Sequence, residues 1–152
     1  VSAAARAALL TICEGVLPPT LGLGWPGRFT RRQGAVQLEQ LVGKSRVVDL
    51  TEQAEREYPL TWNASRRLWV AELSLRVRYE LTQGVDAEQA SVLIGEDFRA
   101  FVKALANPAN WPVSVVRILI GDRAPATVNV PGAAGAVPAV IRALPFRYQF
   151  YS

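Results

Sequence analysis

The chain has 152 residues, the length of one domain, and half of them are hydrophobic. It holds no histidine and a single cysteine, Cys13, which removes the commonest general base, histidine-built zinc sites and any intrachain disulfide. The formal charge is +4, yet 13 acidic residues are scattered among 17 basic ones, all arginine except Lys44 and Lys103, which argues against a dedicated nucleic-acid surface.

Ser2 is placed to cap a first helix running to about Glu14, stopped by Gly15 and then Pro18 and Pro19. Its Ala, Leu and Ile content makes it a packing helix, with Cys13 on the buried face. The same stretch resembles a short apolar signal core but lacks a basic leader, so it reads as an ordinary helix.

Residues 18–34 form a Gly- and Pro-rich irregular arm carrying Trp25, Arg28, Phe29, Arg31 and Arg32. Aromatics and arginine are enriched at interfaces, so these five are interface candidates; the alternative is an arm that covers the core with Trp25 as its plug. Residues 46–50 are a short strand candidate, and charged residues 52–58 read as one helical turn ended by Pro59.

Residues 67–81 carry the clearest signal. Trp69, Ala71, Leu73, Leu75, Val77, Tyr79 and Leu81 alternate with Glu72, Ser74, Arg76, Arg78 and Glu80, which predicts a long strand with one buried and one solvated face. Asp86, with Gln89 three residues on, opens a helix with Ala87, Ala90, Ile94, Phe98, Phe101 and Leu105 on one stripe. Asn107 and Pro108 end it. Trp69, Leu73, Leu75 and Val77 are expected to face that stripe.

Residues 113–120 predict a buried strand, and 126–130 a short edge strand. The uncharged stretch 124–138 is a loop of small residues and offers Gly132, Gly135 and Val137 as further interface candidates. Pro125, Pro131 and Pro138 prevent it from running as a membrane-spanning helix. In the last strand Leu144, Phe146, Tyr148 and Phe150 point inward, while Pro145 argues for an edge position or a bulge. The expected fold is one α+β domain over residues 1–152, an antiparallel sheet of about four strands with helices on one face.

Motifs for chemistry are missing. Gly22, Gly24 and Gly27 have no strand before them or helix after them, as a dinucleotide fingerprint requires. Gly43, Lys44 and Ser45 end like a phosphate loop, but the upstream glycine position is Leu38. Glu96 and Asp97 are helix neighbours that point apart and read as solvated. The sequence therefore predicts no enzyme, no catalytic residue, no cofactor and no metal.

From residue 46 onward the order of elements, the long strand, the Asn110-Trp111 loop and the ending Phe146 to Tyr151 resemble the tail-terminator and neck proteins of long-tailed bacteriophages and phage-derived particles. The resemblance implies a homohexameric ring at the head-tail junction that caps the tail tube, stops its polymerisation and docks to the head connector. Its partners would be further copies, the tail tube protein and the connector protein, with transient contact to passing double-stranded DNA and no membrane. The setting would be the neck of the virion, after assembly in the host cytoplasm. A head-completion or stopper protein is the near alternative, and a nucleic-acid-binding α+β module the distant one.

Overall fold

A computed structural model describes residues 3–57, 67–82, 85–113, 115–121, 126–130 and 138–151. Helix α1 (Ala3–Glu14) is followed by strands β1 (Thr30–Arg31), β2 (Val47–Glu57) and β3 (Leu68–Glu80), then helix α2 (Ala87–Ala106) and strands β4 (Val115–Leu119), β5 (Ala126–Val130) and β6 (Ala139–Tyr151). Short 3-10 turns lie at Leu38–Gln40 and Pro108–Asn110. The α+β class matches expectation, but the sheet has six strands and is mixed, because β1 runs parallel to β2.

The strands lie in the order β1-β2-β3-β6-β4, with β5 also on β6. Strands β3 and β6 pair along their whole thirteen-residue length, from Leu68 opposite Tyr151 to Glu80 opposite Ala139. On the far side of β6, β5 pairs with residues 139–143 and β4 with 147–150. Pro145 falls in the gap between them, so its missing N–H removes no ladder bond on that side. Of the two positions expected from sequence, an edge or a bulge, neither describes this one: the proline marks a break between two flanking strands.

One face of the sheet carries the core. Ala71, Leu73, Leu75, Val77 and Tyr79 of β3 are buried beside Val48 and Leu50 of β2 and Leu144, Phe146 and Tyr148 of β6. Both helices cover this face, α1 with Leu9, Leu10 and Cys13, and α2 with Ala90, Leu93, Ile94, Phe98, Phe101 and Leu105. Burying each such aliphatic or aromatic side chain contributes about 1.5–3 kcal/mol. Asp86 caps α2 by accepting a hydrogen bond from the Glu88 amide at 3.0 Å. At the other end the Asn107 amide bonds back to the Ala104 carbonyl. Ala87 is exposed and Leu93 takes the place expected for it, while Trp69 is half-buried and outside the core cluster.

Four expectations need correction. The predicted helical turn at 52–57 is strand, since β2 continues to Glu57 around an irregularity between Glu52 and Ala54 (Tyr58 lies outside the described residues). Strand β4 is shorter than expected and buries only Ile118, because it lies at the end of the sheet beyond β6. Arg46 precedes β2 instead of opening it. The polar face of β3 is not wet throughout: Val70, Ser74, Arg78 and Glu80 are all buried. At one end of that face Leu38 packs with Val47 and Ile141, and its carbonyl accepts a bond from Arg78 Nη1 at 3.2 Å.

The Gly-Lys-Ser string lies at this covered end. The Lys44 amide donates to Glu80 Oε1 at 3.2 Å, and Ser45 Oγ accepts from the Glu80 amide at 2.8 Å. Its polar groups fasten the end of β3.

Candidate functional site

Two carbonyls of the arm at 18–34 and two of its aromatic rings converge on one arginine. Leaving α1, the chain passes Gly22, where a Cβ would come within 3.6 Å of Leu93 of α2, and turns through Leu23 and Gly24, both at positive φ (58° and 71°). The turn drives Trp25 inward. Its indole N–H donates to the Glu80 carbonyl at 2.8 Å, and its ring centroid lies 4.9 Å from that of Tyr79. Phe29 follows, 4.5 Å from the Phe101 ring. The arm then joins the sheet as β1, with Thr30 opposite Val47 and Arg31 opposite Val48.

Arg46 sits beneath this arm, fully buried and at φ 55°, a backbone region that non-glycine residues rarely occupy. Its guanidinium makes two bonds to Asp97 of α2, at 3.1 Å and 3.3 Å. It makes two more to arm carbonyls, Pro26 at 2.9 Å and Thr20 at 3.0 Å. Trp25 and Phe29 flank the cation, with ring centroids 5.6 Å and 5.8 Å away. The backbone is fixed as well: the Arg46 amide donates to the Arg78 carbonyl at 2.7 Å, and the Arg46 carbonyl accepts from Thr30 at 3.1 Å. The Tyr79 hydroxyl donates to Asp97 at 3.0 Å.

Three acidic groups are perturbed by this packing. Burial raises the Asp97 carboxyl, and it outweighs the opposing pull of Arg46 and of the Tyr79 hydrogen bond. Burial, reinforced by the Asp97 charge, pushes Tyr79 well above its ordinary value. Burial and then the neighbouring Glu14 raise the Cys13 thiol to about 12. These groups are held away from solvent. A 330 Å³ hollow lies elsewhere, at the notch by Pro145, lined by Gln53, Glu72, Leu73, Leu119, Phe146 and Arg147. A second, of 520 Å³, lies between the helices beside Ile12, Val16, Ala100 and Lys103. Neither contains an acid-base pair of perturbed groups. Among the described residues no cluster of three or more His, Cys, Asp or Glu could hold a metal ion, and no helix is long and apolar enough to cross a membrane.

The interface candidates part company. Trp25 and Phe29 are buried within this chain, 7% and 3% exposed, so the single chain does not offer them at its surface; they are core covers. Arg28 is exposed. Arg31 is paired with Glu14, and Arg32 faces Asp49 at 3.2 Å and donates to the Gly34 carbonyl at 2.9 Å. Gly132, Gly135 and Val137 lie outside the described residues.

Sequence reasoning missed the centre of this arrangement. Asp97 was expected in solvent, but it stands four residues from both Leu93 and Phe101, in the middle of the buried stripe of α2. A carboxylate inside an apolar stripe was the available signal for a buried cation partner. Nothing comparable in the sequence marked Arg46.

The chain matches no known protein-family model, and no curated protein matches it.

Proposed function

We propose that the chain is a structural subunit of a hexameric ring at the head-tail junction of a long-tailed bacteriophage or phage-derived particle. In this role the ring caps the tail tube, stops its growth and docks to the head connector. What supports the reading is the distribution of exposed apolar side chains. Leu17, Leu21, Val36 and Val42 belong to the segment that carries β1, the first strand of the sheet. Val113, Val116 and Val128 lie on or beside β4 and β5, at its other end. Exposed apolar side chains toward both ends of the strand order, with Val92 on α2 and Tyr151 on β6 besides, suit head-to-tail contacts, which make a ring where the rotation closes, whereas a two-fold dimer needs one self-complementary patch.

Charge fits the same role. Many arginines of helix, arm and sheet are matched by acids: Arg6 of α1 and Arg32 by Asp49, Arg31 by Glu14, Arg76 by Glu39, Arg78 by Glu80 and Arg147 by Glu72. A channel that DNA must traverse works best with such a mixed surface, since strong phosphate binding would hinder passage.

The test is mass in solution by light scattering, alone and with tail-tube protein, followed by negative-stain imaging. Rings that are lost in both Leu21→Glu and Val116→Glu, with the fold of each variant intact, are expected. A chain that stays monomeric under all these conditions removes the reading.

A further inference from the structure

We propose that the arm at 18–34 is a strap that opens and closes as one unit, latched by Arg46. Three independent observations carry this. First, the tethers converge: one guanidinium holds the carbonyls of Thr20 and Pro26 on the arm and the carboxylate of Asp97 on α2. Removing that side chain frees the Thr20 and Pro26 carbonyls together and leaves the bond from the Thr20 hydroxyl to Glu96 and the Phe29–Phe101 ring contact between arm and α2.

Second, the two non-glycine residues at positive φ among the described residues are Leu23, inside the arm, and Arg46, its anchor. Backbone in this region persists only where surrounding contacts hold it, and such strain gathers at switch segments. Opening the strap releases Leu23 from its turn.

Third, the arm adds little regular structure that would resist release. It contributes two residues of β1 at the margin of the sheet, through the Thr30 and Arg32 amides bonded to the Arg46 and Val48 carbonyls at 3.1 Å and 2.8 Å. Strands β3 and β6 and helix α2 keep their own ladders whether or not the arm is present. The open form uncovers Tyr79 and Phe101, on which Trp25 and Phe29 now rest. This inference concerns one chain and does not depend on the ring reading.

Hydrogen exchange of the full chain, read by mass spectrometry in increasing sub-denaturing urea, tests the strap. The amides of Trp25, Thr30 and Arg32 should open at lower urea than those of Leu75 and Phe101. The Arg46→Met variant should speed exchange of the arm at least tenfold. Because a lone buried carboxylate can unfold the whole chain, the double variant Arg46→Met with Asp97→Leu is the decisive companion. It removes both charges together with the tethers to Thr20 and Pro26, so the arm should still exchange at least tenfold faster while α2 and β3 keep their native protection. Arm amides that open only with the global transition, or a double variant whose arm is as protected as in the native chain, would overturn the proposal.

Discussion

The hydroxyl of Tyr79 and the Nε of Arg46 meet at the same oxygen of Asp97, 3.0 Å and 3.1 Å away. A residue of the long strand and a residue beneath the arm thus share one buried acceptor on α2. The carboxylate joins three parts of the chain that have no common secondary structure.

That shared acceptor gives an unusual pH dependence. Burial raises the Asp97 carboxyl more than Arg46 and Tyr79 lower it, so the folded chain holds this proton more tightly than the unfolded chain. The stabilisation is complete below the unfolded value and is lost as pH rises through the folded one. In urea unfolding as pH rises from about 4, the unfolded carboxylate value, the stability of the native chain relative to Asp97→Asn should therefore fall. A relative gain over the same range would mean that the ion pair outweighs the cost of burial.

Leu75 is fully buried at the centre of the sheet, opposite Leu50 on one side and Leu144 on the other. Leu75→Ala should destabilise the chain by about 2–5 kcal/mol in chemical denaturation. A loss below about 1 kcal/mol would show that the helices collapse freely onto the vacated site.

Trp25→Ala should act on the fold of the single chain. It removes a buried ring, the bond to the Glu80 carbonyl and one face of the Arg46 enclosure, for a loss of about 3–5 kcal/mol. Unchanged stability combined with lost assembly would return Trp25 to the interface.

The Cys13 thiol, raised to about 12 and buried against α2 and the sheet, should stay unreactive at neutral pH. A chromogenic disulfide reagent should label it only after unfolding in urea. Rapid labelling of the native chain would place Cys13 on a surface that opens readily.

Binding to duplex DNA should be weak, sequence-blind and abolished between about 50 and 200 mM salt, because Arg31, Arg76, Arg78 and Arg147 of the sheet already face acids. Electrophoretic mobility shifts on unrelated duplexes measure this. Tight binding to one sequence at physiological salt would favour the nucleic-acid-binding alternative.

The sequence revealed those elements whose burial is one-sided. Period-two alternation located β3 and β6 almost to the residue, and the stripe from Ala90 to Leu105 located α2. It failed where local chemistry and tertiary pairing disagree. Glu52, Glu55, Arg56 and Glu57 are exposed and look helical, yet they are strand because β3 supplies a partner along their whole length. Pro145 read as an edge or bulge marker because no sequence pattern announces that two strands will share one neighbour. The arm was legible as irregular, and its covering role stood as one of two readings. The burial of Trp25 and Phe29 within the single chain goes with Arg46, whose backbone and guanidinium are held by β3, α2 and the arm, residues far apart in sequence.

Strand β6 follows every other element in chain order, yet it lies in the interior of the sheet between β3 and the pair β4 and β5. During synthesis, α1, the β2–β3 hairpin and α2 leave the ribosome before the strand that must complete their common floor. Until β6 emerges, one flank of β3 has no partner, and Leu73 and Leu75 lack Phe146 and Leu144. Closing the sheet then joins residues far apart in sequence, a slow kind of step. Before β6 pairs, the β3 flank is an open, apolar strand edge, the kind of edge that accepts a strand from another chain.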